Sequence, residues 1–114
     1  MAVYLATNQS YYLLQEIVAA INRGEITTWS VDNDGDFTHT PPQWKHRAWF
    51  HPKVEPNRLA FYMICPLNSI ISTEVYAIYH GRFLEMSLAH FDKIMTHAIA
   101  TALPEGADSM GTRT

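Results

Sequence analysis

A basic and aromatic segment in the middle of the chain carries the side chains best suited to recognition. If residues 44–51 form a strand, alternate side chains point to opposite faces. One face then presents the basic set, which consists of Lys45, Arg47, Trp49, His51 and, just beyond the strand, Lys53. The other face is expected to point into the core and carries Trp44, His46, Ala48 and Phe50.

Three interpretations of the basic set stay open. Cations interleaved with a tryptophan can pair with the phosphates and stack on the bases of a single-stranded nucleic acid. They suit an acidic protein surface equally well, with Trp49 as the central anchor, because Trp and Arg dominate interface hot spots. The purely structural interpretation is that Lys45 and Arg47 protect an edge strand from aggregation while Trp49 packs on their aliphatic stems.

A second group, formed by His80, Arg82 and Glu85, suggests acid–base chemistry next to an anion clamp. The chain lacks the Gly-x-Ser-x-Gly motif, a glycine-rich phosphate loop and a paired-carboxylate motif, so nothing local supports catalysis. Arg82 and Glu85 are three residues apart and are equally well explained as a surface ion pair on a helix. We therefore name no catalytic residue and keep these three as candidates for a ligand site.

The residues that could bind metal do not fit a known ligand pattern. Asp32, Asp34 and Asp36 resemble the start of a calcium loop, which needs glycine at its sixth position and glutamate at its twelfth. Gly35 instead falls at the fourth position and Gln43 at the twelfth. Cys65 is the only cysteine, so no zinc pattern exists, and a small buried thiol is its ordinary interpretation. The sequence predicts no metal site and no cofactor.

Length, composition and charge limit the class of protein to which these residues belong. The chain has 114 residues, of which 47% are hydrophobic, enough for one folded domain and too many for a disordered protein. A net charge of −3 argues against coating duplex nucleic acid, and one cysteine excludes a disulfide-stapled scaffold. We predict a single domain over residues 1–106 with a flexible tail over 107–114. No signal peptide or membrane-spanning segment is evident, so we expect a cytoplasmic protein without a membrane partner.

Periodicity predicts the order of the elements. Apolar residues at helical spacing predict a helix over 10–23, and a long helix that begins after Ser72 or Thr73 and ends before Pro104. Gly81 is a candidate break in that helix, and residues 73–80 fit a strand almost as well. Between the helices, the pattern predicts an antiparallel meander of four strands over residues 26–31, 37–40, 44–51 and 59–64. The expected fold is α+β, with both helices on one face of the sheet.

These observations favour a small non-enzymatic binding protein that acts through protein–protein contacts. An inhibitor, an immunity-type protein, an adaptor or a homodimeric subunit would each fit, because the many tyrosines and tryptophans suit interfaces. The partner is expected to be another protein or a second copy of the chain. The alternatives are a single-stranded nucleic-acid binder that uses the basic set, and a small enzyme or ligand-binding domain that uses His80, Arg82 and Glu85.

Overall fold

A computed structural model describes residues 2–67, 69–103 and 112–113 as an α+β fold with two helices and an antiparallel sheet. The helices are α1 (Ser10–Asn22) and α2 (Thr73–Phe91), and a 3-10 turn (Asp92–Ile94) follows α2. The strands are β1 (Ala2–Ala6), β2 (Trp29–Val31), β3 (Phe37–His39), β4 (Trp49–Glu55), β5 (Arg58–Pro66), β6 (His97–Ala100) and β7 (Thr112–Arg113).

Six strands form the antiparallel sheet in the order β2-β3-β4-β5-β1-β6, and β7 pairs in parallel with β5. The α+β class with an antiparallel sheet is confirmed, whereas the prediction of four strands is wrong. The two strands beyond the predicted meander, β1 and β6, pair with each other and attach to it because β1 lies between β5 and β6.

The strand β1 escapes prediction because its side chains are buried on both faces. Ala2, Val3, Tyr4 and Leu5 are all buried, so the segment is uniformly apolar rather than alternating. A short run of this kind does not distinguish a central strand from other buried structure.

The strand β6 corrects the predicted extent of the second helix. Met95 and Ala98 continue the three- and four-residue spacing of the apolar residues in α2. The helix nevertheless ends at Phe91, and the chain then reverses into a strand. Both residues still pack against the main core, and Ala98 does so from β6. For Met95 and Ala98 the spacing therefore predicts contact with the core correctly and predicts the conformation wrongly.

Residues 44–48 form a turn rather than the first half of a strand. His46 has a φ of 62°, in the left-handed region that ends strand geometry, and β4 begins only at Trp49. The strand then continues through Pro52 and up to Glu55, beyond the end predicted for it. Pro52 has no backbone N–H, yet the strand runs straight through it.

The helix α2 is continuous through Gly81, so the candidate break there is wrong. The helical alternative for residues 73–80 is confirmed, and Ser72 caps the helix by accepting a hydrogen bond from the backbone N–H of Val75 at 3.2 Å. The helix α1 matches its predicted span to within one residue.

The core joins both helices to alternate residues of the central strands. Phe83 of α2 lies among three aromatic rings, with centroid distances of 4.5 Å to Phe61, 4.9 Å to Trp29 and 5.1 Å to Phe50. Leu13 and Ile17 from α1 and Val3 and Leu5 from β1 belong to the same cluster.

The domain limits 1–106 stay a prediction. Most of the tail predicted for 107–114 lies outside the described residues, and Thr112–Arg113 is described as β7. Within the described part of the chain, neither helix has the length and apolar character required to cross a membrane.

Candidate functional site

The strands carry a second cluster of side chains that is separate from the main core. It consists of Ala2, Tyr4, Ala60 and Tyr62. His51 lies directly opposite Tyr62 in the sheet and Lys53 lies opposite Ala60, and cross-strand partners share a face. By the same alternation, the second sheet face carries Tyr4, Trp49, His51, Lys53, Glu55, Arg58, Tyr62 and Ile99. Among the described residues, the second cluster contains no side chain from α1 or α2.

An ion pair lies over the two tyrosines of this face. Tyr4 and Tyr62 meet edge to face with ring centroids 6.1 Å apart, and the guanidinium of Arg58 stacks 3.8 Å from the centroid of Tyr4. Arg58 donates its Nε–H to Glu55, and the Tyr62 hydroxyl donates to the other Glu55 oxygen at 3.5 Å. The Glu55 carboxylate raises the pKa of Arg58 above its ordinary value, so the guanidinium stays charged.

Trp49 belongs to this face but is buried, with 7% of its surface exposed. The imidazole ring of His46 stacks on it with a centroid distance of 5.9 Å and an interplanar angle of 21°. The expectation that His46 points into the core is therefore wrong, because the turn brings it over the second sheet face. Phe50 and Ala48 are buried as expected, and Trp44 packs at the edge of the core.

A buried polar network holds the turn that carries His46. Thr38 Oγ1 donates to the carbonyl of Ala48 at 3.0 Å and accepts the backbone N–H of His46 at 3.1 Å. The hydroxyl of Tyr79 on α2 lies 3.1 Å from Thr38 Oγ1 and donates to the carbonyl of Trp44. Three backbone groups of the turn are thereby fixed by two buried side chains.

The cations of the basic set remain at the surface, but they do not form one row. Lys45 and Arg47 are exposed in the turn, and Arg47 donates to the Gln43 carbonyl at 3.3 Å. His51 and Lys53 are exposed on β4. His51 Nδ1 lies 2.6 Å from an Asp36 carboxylate oxygen, and Lys53 Nζ lies 4.0 Å from Glu55, so both are partnered by carboxylates.

A cleft of about 290 Å³ opens beside the turn. Its lining joins His46 and Arg47 to residues at the start of α2, including Ser69 and Ser72. An arginine, an imidazole and two hydroxyl groups therefore surround a recess large enough for a carboxylate side chain.

The three aspartates form the turn of the predicted β2–β3 hairpin, which the structure contains. One oxygen of Asp32 accepts the backbone N–H groups of Asp34 at 2.9 Å and Asp36 at 3.1 Å, as in an Asx turn. Oxygens of the three carboxylates lie within 4.8 Å of one another. The carboxylate of Asp32 thus has a structural use in closing the turn.

The predicted group of His80, Arg82 and Glu85 does not assemble. His80 is buried, packs on Phe50 at a centroid distance of 5.1 Å, and its Nδ1–H bonds the carbonyl of Tyr76 one turn earlier. Arg82 instead donates an Nη1–H to Nε2 of His39 at 3.4 Å. The group is thereby divided between the core and the surface.

His39 is a buried titratable residue that the sequence did not single out. Its Nδ1–H donates to the carbonyl of Thr28 at 2.7 Å, so Nε2 is left as the acceptor for Arg82. Its ring stacks on Trp29 with a centroid distance of 4.6 Å. Burial lowers the pKa of His39 below its ordinary value. The hydrogen bond to the Thr28 carbonyl opposes this effect, the Arg82 guanidinium adds a smaller lowering, and Glu85 opposes it least. His39 lies between two threonines in a short strand, and this position does not indicate that its ring is buried.

Comparison of the chain with models of known protein families, with curated proteins and with solved structures finds no match. The function is therefore argued from the geometry alone.

Proposed function

We propose that this chain is a non-enzymatic binding protein that engages an acidic protein partner through the second sheet face. The observation that supports this most directly is the partly exposed guanidinium of Arg58, which stacks on the buried ring of Tyr4 and is bordered by exposed cations. Residues 41–58 carry four basic residues and one acidic residue, a local charge of +3 in a chain whose net charge is −3. An acidic partner is attracted to this segment and repelled by the rest of the molecule.

The chemistry of recognition centres on Arg58. Its Nε–H is used by Glu55, and its terminal nitrogens form no further hydrogen bond within the described residues. A planar guanidinium fixed on a tyrosine ring can bind a second carboxylate through two parallel hydrogen bonds. Lys45, Arg47 and Lys53 lie outside this centre, where exposed cations accelerate association more than they strengthen the complex.

The same geometry weighs against the other two classes of function. Base stacking needs an accessible aromatic face, and His46 already occupies the face of Trp49. Catalysis at the group of His80, Arg82 and Glu85 needs a histidine ring open to substrate, whereas His80 is buried and bonded to the carbonyl of Tyr76.

The proposal is tested with labelled peptides of defined charge. The probe is a fluorescein-labelled peptide of alternating glutamate and tyrosine, compared by anisotropy with the same peptide carrying glutamine for glutamate, and with an oligo-dT of similar length. We expect the glutamate peptide to bind most tightly and to weaken as salt rises, because exposed charge interactions are screened.

Variants localise that binding to the second sheet face. Lys45→Glu and Lys53→Glu, made singly, should each weaken binding of the glutamate peptide, whereas Lys93→Glu, the same charge change in the 3-10 turn, should have much less effect. Arg58→Lys keeps the charge but loses the planar guanidinium that can form two parallel hydrogen bonds, and it should cost about thirtyfold in affinity, the lower limit of a hot spot. Equal binding of the glutamate and glutamine peptides, or tighter binding of oligo-dT, would refute the proposal.

A further inference from the structure

The two edges of the six-stranded sheet differ in how they are protected. The edge strand β2 has only three residues and runs directly into Asp32 and Asp34, and short length and charge are devices that prevent edge-to-edge pairing. The opposite edge strand, β6, is nearly as short, with four residues, but it lacks the charge. Residues 94–103 contain no Asp, Glu, Lys, Arg or Pro.

The pairing of β6 with β1 determines which of its residues direct their backbone groups to the side away from β1. The N–H of Thr101 donates to the carbonyl of Ala2 at 2.9 Å, so Thr101 directs its backbone groups toward β1. In an antiparallel pair this direction alternates along the strand. Ile99 therefore also faces β1 with its backbone, while Ala98 and Ala100 direct their N–H and C=O groups away from the sheet.

We propose that β6 pairs in antiparallel register with β6 of a second copy of this chain, about a two-fold axis at Ile99. In this register Ala98 of one copy opposes Ala100 of the other, and each such pair exchanges two backbone hydrogen bonds. Ile99 then opposes Ile99 of the other copy in a pair without hydrogen bonds, where side chains approach most closely. Ile99 is half exposed, as expected for a side chain that an interface would cover.

A second copy fits this edge better than an unrelated strand. The residues that direct their backbone groups away from β1 on both sides of the axis are alanines, so the strand presents the same small side chains to its own reverse. The absence of charge from residues 94–103 gives no means of selecting a charged partner. In contrast, an isologous contact brings the same strand of two copies together in opposite directions, so it needs no second, complementary surface.

This interface adjoins the proposed partner surface, because Ile99 lies opposite Tyr4 on the second sheet face, but the two use different groups. It uses backbone groups at the edge, whereas the proposed partner binds side chains centred on Arg58. A two-fold axis perpendicular to the joined sheet places the second sheet faces of both copies on the same side.

Disulfide trapping tests the register directly. In a Cys65→Ala background, which removes the native thiol, Ile99→Cys is oxidised mildly and analysed without reductant, with Ala98→Cys and Ala100→Cys as matched controls. Opposed residues without hydrogen bonds have Cα atoms about 4.5 Å apart, within disulfide range, whereas diagonal positions are about 7–8 Å apart. We expect the Ile99→Cys variant to form covalent dimers and the two controls to remain monomeric.

Light scattering of the otherwise unmodified chain at about 100 μM gives a second measurement, since weak specific interfaces are populated in that range. The mass should be that of a dimer and should fall to a monomer in Ala100→Pro, which removes an outward N–H without removing a bond to β1. Ile99→Lys should also give a monomer, and it replaces Ala100→Pro if the proline variant does not fold. A monomeric parent chain, linkage at all three cysteine positions, or a dimer that persists in a folded Ile99→Lys variant would overturn the proposal.

Discussion

Removing one hydroxyl from the buried network beneath the turn should cost measurable stability. Tyr79→Phe retains the ring and its contacts, which include edge packing on Trp29 at a centroid distance of 5.5 Å. It removes the hydrogen bond to the carbonyl of Trp44 and the contact with Thr38. Because the carbonyl of Trp44 still accepts the backbone N–H of Arg47 at 3.1 Å, only one hydrogen bond is lost, and we expect the free energy of unfolding to fall by about 0.5–1.5 kcal/mol.

The network also predicts that the loss depends on its neighbour. Thr38→Val removes the hydroxyl that bonds Ala48 and His46 while preserving side-chain volume. Since Thr38 and Tyr79 hold the same turn, the loss in the double variant should differ from the sum of the single losses by about 0.5 kcal/mol or more.

Urea denaturation followed by tryptophan fluorescence measures both quantities. With a slope of about 2 kcal/mol per molar urea, a loss of about 1 kcal/mol lowers the midpoint by about 0.5 M, and the slope itself should not change. A Tyr79→Phe midpoint within about 0.2 M of the parent, or strict additivity with Thr38→Val, would refute the view that the two hydroxyls act as one support.

Two further outcomes follow from single positions. Gly81→Ala should raise stability by about 0.5–1 kcal/mol, because an added Cβ meets nothing within 4 Å in the middle of α2, whereas Gly35→Ala, at a φ of +81°, should lower it by about 1–2 kcal/mol, both measured by thermal unfolding. Since burial lowers the pKa of His39, the unfolded chain binds the proton more readily, so the contribution of this residue is complete above about pH 6.5 and is lost as the pH falls toward the folded pKa. Urea midpoints between pH 5 and 7.5 should therefore depend less on pH in His39→Gln than in the parent; an unchanged dependence would contradict this assignment.

Local sequence signals predicted those parts of the fold that depend on local geometry. The helix α1 and the β2–β3 hairpin rest on apolar spacing and on Gly35, and both are present. The strand β6 is different, because alanine favours helix and the spacing of Met95 and Ala98 suits either a helix or a core-facing strand. The choice between the two depends on β1, a partner that lies more than ninety residues earlier in the chain.

The candidate surface was predicted in its residue types and missed in its geometry. Lys45, Arg47 and Trp49 alternate as a strand would, but a left-handed residue at His46 turns the chain and covers the tryptophan. A histidine in the sequence does not indicate a left-handed backbone as strongly as a glycine does. Tyr4 and Arg58, which form the centre of the surface, come from two strands whose pairing no local pattern reveals.

The position of β1 also determines when the sheet can form during synthesis. Residues 2–6 are synthesised before both of their partners, β5 and β6, and the second of these is completed only at residue 100. Closing such a distant contact has an entropic cost before any packing offsets it, so folding that depends on it is slow. Until β6 is made, the apolar strand β1 therefore lacks one of its two neighbours, and in this interval the nascent chain is most exposed to aggregation and most in need of chaperones.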